Sequence, residues 1–232
     1  MMKNALVIAT NHSHVKKENI VPTGLWLSEL THFYDEFEQA GYHIDVVSPK
    51  GGEIPIDKRS LGFFVLDKAT KSRYQDSAFM SQLAYSKSLT EIDWKLYDIV
   101  YVAGGHGAMW DLVDNKELQT IISKMFEAGK VVSAVCHGVA ALQNVKLSNG
   151  DYLIKGKKGT GFPYFDETIA GAKSFVPYNL EKVLRSRGMS FSKALFPLAG
   201  HSVVDGKLIT GQNPNSTVQT AQKALEMLHA NR

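Results

Sequence analysis

A mostly parallel β-sheet covered by helices on both faces is the fold class that the sequence predicts. Three observations carry that expectation. Short, β-branched apolar runs alternate with amphipathic segments along nearly the whole chain. Three of the amphipathic segments stop at a glycine (Gly41, Gly129 and Gly188), the usual C-terminal stop of a helix. The single cysteine, Cys136, stands where an apolar run gives way to a helical pattern. Open α/β sheets bind their ligands at that end of a strand.

The apolar runs at 4–10, 43–49, 98–105 and 131–136 read as buried strands, and 193–200 and 207–212 as weaker ones. Helical periodicity covers 24–41, 115–129, 139–145, 178–188 and 217–230. Strand, helix, strand in that order favours a parallel sheet. Residues 51–95 break the rhythm with polar stretches around isolated clusters such as "LGFFVL". They are too few for a core of their own. The expected organisation is therefore a single domain over 1–232 with an insertion or lid at 51–95.

Composition excludes several classes. Of 232 residues, 44% are hydrophobic and 21% charged, the balance of a soluble globular chain. A net charge of +3, spread along the chain, gives no basic face for nucleic acid or a membrane surface. No apolar stretch approaches the roughly 18 residues that a membrane span needs. The N-terminal apolar run is short and lacks the h-region of a signal peptide. One cysteine makes no internal disulfide, so the expectation is a reducing, cytoplasmic setting.

Cys136 has small residues two positions before and after it, Ala134 and Gly138. A sharp strand-to-helix turn that presents a nucleophile needs that spacing, because larger side chains collide across the bend. The N–H groups of the following helix would favour a thiolate. "VAGGHGAMWDL" (102–112) also ends a strand, and Gly104, Gly105 and Gly107 let backbone N–H groups approach a ligand. An N–H from Gly105 or its neighbour, with that of His137, would make an oxyanion hole beside His106. Glu29 borders the apolar face of the first helix, where loss of water would raise its pKa into the range of a general acid or base. In "GTGFPYFDETIAG" (159–171), Glu167 or Asp166 follows an aromatic cluster and is placed to orient His137; a capping role for Asp166 is the simpler alternative.

Together "AVCHG", "GGHGAMWDL", "TGLWLSEL", "TGFPYFDETIAG…VPYNLE" and "LITGQNPNS" resemble the DJ-one/PfpI superfamily, related to class I glutamine amidotransferases. More narrowly they resemble its glutathione-independent glyoxalase III branch, also described as heat-shock-protein-31-like chaperones. The resemblance runs over residues 4–225 in order. It implies a flavodoxin-like sandwich with a nucleophile elbow, usually dimeric. It implies that Cys136 is the nucleophile, that Glu29 touches its sulfur, and that His137 and Glu167 complete a Cys–His–Glu arrangement. Gly105 and His137 would supply the oxyanion N–H groups. One departure is Val139, where branch members often have proline.

The expected reaction converts a 2-oxoaldehyde such as methylglyoxal to lactate through a cysteine hemithioacetal, with no metal, flavin, nicotinamide or glutathione. Glu29 is the first choice for moving the carbon-bound proton, and His137 with Glu167 for activating water. The alternatives are a deglycase, amidase or peptidase using the same thiol, a holding chaperone working through "LGFFVL", and a redox sensor oxidised at Cys136.

Overall fold

Runs such as "ALVI" and "IVYV" are apolar on both sides, which suits only a sheet buried on both faces. The computed structural model, which describes residues 3–16 and 20–230, gathers them into one eight-stranded sheet. Strand β1 (Asn4–Ile8) leads to a short antiparallel pair, β2 (His14–Lys16) with β3 (Ile20–Pro22), and then to helix α1 (Leu27–Gln39). After β4 (His43–Ser48) and β5 (Lys50–Gly52) come a 3₁₀ turn at Lys58–Leu61, α2 (Lys68–Gln75), α3 (Ser77–Ala84) and β6 (Ser86–Ser88). Next are β7 (Ile99–Val102), α4 (Ala108–Asp111), α5 (Lys116–Glu127) and β8 (Val131–Val135). A 3₁₀ helix, Cys136–Leu142, starts directly at the end of β8. The last part comprises β9 (Lys158–Gly159), α6 (Tyr164–Ile169), α7 (Leu180–Ser186), β10 (Ser190–Phe191), β11 (Ser202–Asp205), β12 (Leu208–Gly211) and α8 (Thr217–His229).

The sheet order is β11-β12-β8-β7-β1-β4-β6-β5. From β12 to β6 every pairing is parallel, and only the edge strands β11 and β5 run antiparallel. The chain leaves β1 for β4 on one side and returns through β7 on the other. The order therefore reverses beside β1, and a crevice opens at the carboxyl ends of β1 and β7. Alternating side chains feed two cores. Leu6, Ile8, Val100 and Val102 pack under α5 and the 3₁₀ helix, with Leu118, Ile122 and Val139. Ala5, Val7, Ile99 and Tyr101 pack under α1, α3 and α8, with Leu30, Phe33, Leu83 and Ala221.

Two elements depart from the sequence reading. Residues 193–200 are not a strand: the segment is a loop, with Leu195 89% and Phe196 71% exposed, and the edge strand is the following 202–205. Its apolar residues lie at a surface instead of in the sheet, a distinction that composition does not carry. The helical turn expected at 139–145 begins three residues earlier, at Cys136 itself. Residues 51–95 add β5 and β6 to the sheet edge and place Phe79 and Leu83 of α3 in the core beside α1.

Phe33 holds α1 against the sheet. It is fully buried, and its ring stacks on Phe37 at 4.1 Å and on Tyr101 of β7 at 3.8 Å. Phe33→Ala is expected to cost about 3–5 kcal/mol, read as a lowered urea midpoint. It should also loosen the neighbouring residue on the same helix face, Glu29, and so lower activity in the fraction that still folds.

Candidate active site

Cys136 adopts φ 54°, the left-handed region, where a residue other than glycine is strained. That strain turns the chain out of β8 and straight into the 3₁₀ helix. Gly138 makes the turn possible, since a Cβ there would lie 2.4 Å from the carbonyl oxygen of Val102 on the neighbouring strand. Ala134, paired with Val102, is fully buried. The small-x-Cys-x-Gly spacing thus has the steric origin expected of an elbow.

Glu29 is fully buried. The N–H of Gly104 donates to its Oε2 at 2.7 Å, and the carboxyl group also hydrogen-bonds Cys136. The contact requires bare backbone on the other side: a Cβ on Gly104 would stand 2.6 Å from that oxygen. Gly105, at φ 99°, brings the loop equally close to Gly24 and Trp26, and the N–H of Trp26 donates to the carbonyl of Gly104. Burial pushes the Glu29 carboxyl up to about 8, against the smaller lowering effect of its hydrogen bonds with Cys136 and Gly104. Burial likewise raises the Cys136 thiol well above its ordinary range, with Glu29 adding to the effect. The N–H of His137 opposes this, but more weakly. Burial thus works against the thiolate that the helix terminus by itself would favour. Ionising the sulfur therefore calls for a base within reach, because loss of water opposes the helix dipole.

That base lies next to it. His137 Nδ1 is 3.3 Å from Cys136 Sγ, and His137 Nε2 is 2.6 Å from Glu167 Oε1. The other oxygen of Glu167 meets His106 Nε2 at 3.2 Å. All three side chains are buried. Burial alone would raise the Glu167 carboxyl, but the two imidazoles outweigh it and hold the group at about 2. Burial, with His137 nearby, lowers His106 to about 4. An ionised Glu167 can only accept, so both rings direct an Nε2–H toward it. In its neutral form, His137 then presents the Nδ1 lone pair to the sulfur 3.3 Å away.

These groups open on a cavity of about 650 Å³, lined among others by Trp26, Arg59, Gly105, His106, Cys136 and His137. Cys136, His137, His106, Glu29, Glu167 and Gly105 are therefore brought together. Gly107 is not: it packs on Thr10 and on the carbonyl of His12, away from the cavity lining. Asp166 neither orients His137 nor caps α6, whose N-cap is Pro163. It accepts from the Leu198 N–H and from Gln212 instead. Two participants were missed in the sequence. Arg59 lies in the irregular 51–95 segment, and no periodicity or motif marks it. Phe162, whose ring stacks on His137 at 4.6 Å, is visible only as one of an aromatic cluster. His106, His137 and Glu167 each offer a ligand atom within 4.8 Å of the others. A metal there would displace two N–H protons beside a guanidinium that already contacts His106, so the set fits a proton network better than a cation.

Keeping a carboxyl group in this place lowers stability. The folded protein holds a proton that the unfolded chain releases above its ordinary value of 4.5, and it keeps that proton up to about 8. The penalty is absent below pH 4.5, grows with rising pH and reaches about 3 kcal/mol at pH 7. Glu29→Gln is therefore expected to stabilise the fold by up to that amount at pH 7, and by nothing near pH 4. Denaturant melts at both pH values check it.

Residues 20–227 match the model of the DJ-1/PfpI family. A glutathione-independent glyoxalase of Saccharomyces cerevisiae, HSP31, is 32% identical over 233 residues, which is 97% of this chain and 98% of that protein. The crystal structure of glyoxalase III from Candida albicans superposes with a TM-score of 0.90 at 30% identity, over 97% of each chain. Rapid Encystment Protein 24 KDa of Francisella tularensis superposes at 0.92 with 38% identity, over 98% of this chain and 99% of that one. With full-length matches in both sequence and structure, the flavodoxin-like α/β chain described here belongs to the DJ-1/PfpI family.

Proposed function

We propose that this protein is a glutathione-independent glyoxalase that converts a 2-oxoaldehyde, methylglyoxal in the simplest case, to a 2-hydroxyacid at Cys136. One observation carries the reading: a single buried-edge thiol touches a near-neutral carboxyl group, Glu29, and a histidine, His137, that is backed by an ionised Glu167. That the full-length relatives in two yeasts are called glyoxalases supports the reaction class.

The aldehyde carbon C1 of methylglyoxal is the electrophile. His137 Nδ1 takes the thiol proton as Sγ bonds to C1, and the proton passes to the new oxyanion, giving a hemithioacetal. N–H groups of Gly105 and His137 stabilise that oxyanion while it lasts. Glu29, ionised, removes the proton from C1 to form an enediol and returns it to C2. His137 moves the hydroxyl proton from the oxygen on C1 to the oxygen on C2. The product is a lactoyl thioester. His137 and Glu167 then deprotonate a water that attacks C1, the C–S bond breaks, and the sulfur recovers its proton. The net change is one water added, and no electron leaves the substrate. His106 shares Glu167 with His137 and completes the polar wall of the cavity.

The reading extends to a homodimer at work in the cytoplasm, acting on a small molecule and not on nucleic acid, with residues 51–95 covering the cavity. Among the described residues, no helix is long and apolar enough to cross a membrane. A second activity, holding unfolded chains, is favoured by Phe63 and Phe64, 91% and 97% exposed, and by Leu195 and Phe196. These side chains form exposed apolar surface, with Phe63 and Phe64 packed edge to face on each other.

Purified protein given methylglyoxal without glutathione should form lactate, and Cys136→Ala should reduce the rate at least about 10³-fold. Full activity in that variant, or amine release from glycated peptides at a faster rate, would reject the glyoxalase assignment. Because Glu29 works as a base only when ionised, kcat/KM should rise with pH through an apparent pKa of about 8 and should lose that limb in Glu29→Gln. Suppression of aggregation that persists in Cys136→Ala would establish the holding activity separately.

A further inference from the structure

Two histidines share one carboxylate in this site, and only one of them can serve the sulfur. His106 and His137 direct their Nε2 atoms at the two oxygens of Glu167, and their ring centroids lie 4.1 Å apart. Two imidazolium ions at that separation would repel strongly in a buried setting. At any moment, then, at most one ring holds a second proton. Glu167 alone does not choose between them, because it accepts an N–H from each.

His137 Nδ1 faces Cys136 Sγ at 3.3 Å, and the Nδ1 of His106 has a different partner. Arg59 Nη2 lies 3.0 Å from His106 Nδ1. A guanidinium is always a donor, so His106 Nδ1 accepts, and the ring must be the neutral Nε2–H tautomer that Glu167 also demands. The arginine is held in place. Asp57, 1% exposed, takes its Nε on Oδ1 and the other Nη2 hydrogen on Oδ2, and it accepts the Arg59 backbone N–H as well. The segment is pinned in turn to the strand-like stretch before α1, with Asp57 N–H donating to Leu25 O and Leu25 N–H donating to Pro55 O. The position that carries Arg59 is thus tied to the chain that positions Glu29.

We infer that Arg59 is a positioning residue that keeps the second histidine neutral: it occupies the Nδ1 lone pair of His106, so the charge of Glu167 is left to support His137, the ring that faces Cys136 Sγ. This rests on the reading of Cys136, His137 and Glu167 as the reacting set. The charged and titratable groups facing His106 are Arg59 from the 3₁₀ turn, Glu167 from α6 and His137 from the elbow. Of these, only Arg59 is a fixed cation. Burial, the His137 ring and Arg59 all disfavour a second proton on His106, while Glu167 favours it. Removing the guanidinium leaves a neutral ring with an open lone pair beside an anion. Such a ring takes up a proton near the ordinary histidine range and draws on the negative charge of Glu167 that otherwise supports His137. The expected loss is one of proton bookkeeping and not of shape.

The test compares wild type with Arg59→Met and Arg59→Lys, the second retaining a cationic donor. Ring nitrogen NMR of the whole protein should show wild-type His106 as the Nε2–H tautomer and neutral from pH 5.5 to 9. In Arg59→Met, His106 should gain a proton with an apparent pKa higher by at least about one unit. In the same variant, the acid limb of Cys136 alkylation by iodoacetamide should move up correspondingly, and Arg59→Lys should return both toward wild type. An unchanged His106 titration in a folded Arg59→Met, or a wild-type ring protonated at Nδ1, would overturn the inference. If Arg59→Met does not fold, the wild-type tautomer and the Arg59→Lys titration still decide it. Neither measurement uses methylglyoxal, so failure of the glyoxalase reading and failure of this inference are distinguishable.

Discussion

A carboxyl group without water is the constraint around which this fold is arranged. Glu29 sits on α1, yet its partners are the Gly104 N–H at the end of β7 and the Cys136 thiol at the end of β8. To bring these three elements together, the loop after β7 must approach α1 with no side chain in the way, which Gly104 and Gly105 permit. The helix must also be held in register. Stacking of Phe33 on Tyr101 does this, and the Tyr101 hydroxyl donates to the carbonyl of Glu29 itself at 2.7 Å. The tight packing beneath the elbow therefore determines the protonation of the acid that faces the sulfur.

Two glutamates in one site are driven to opposite states by their surroundings. Burial dominates at Glu29, whose two hydrogen bonds lower its pKa less than the loss of water raises it. At Glu167 burial acts in the same direction, but two imidazole N–H groups outweigh it and keep the charge. Separation of like groups by environment assigns acid and base roles in many enzymes. Here it leaves a proton on Glu29, a charge on Glu167, and a histidine lone pair between that charge and the thiol. Cys136 is the point at which the two halves meet, and its strained backbone is the cost of presenting it there. The arrangement lowers the stability of the fold in order to keep a reactive site.

Around this polar floor the cavity is apolar at its mouth, with Phe64, Val65, Leu198 and Val218 among the lining residues. Val218 comes from α8, and the others from two segments that periodicity marks differently. "LGFFVL" stood out as an isolated apolar cluster in an irregular stretch. "KALFPLAG" has the pattern of a strand and forms a surface loop, because a run of apolar residues has the same composition whether it faces a core or lines an opening.

The sequence by itself determined the alternation of strands and helices, the elbow at Cys136 with its flanking small residues, and the family to which these belong. It could do so because periodicity, glycine placement and steric spacing are local properties, written within a few residues of one another. It also singled out Glu29, His106, His137 and Glu167 as candidates, but not which atoms meet. Only the tertiary structure decided that Asp166 turns to Leu198 and Gln212, that Gly107 packs on the loop after β1, that burial works against a Cys136 thiolate, and that Arg59 reaches His106 across 47 residues of chain. Each of those outcomes depends on burial and on donor–acceptor geometry between distant segments, and neither exists until the sheet has brought the segments together.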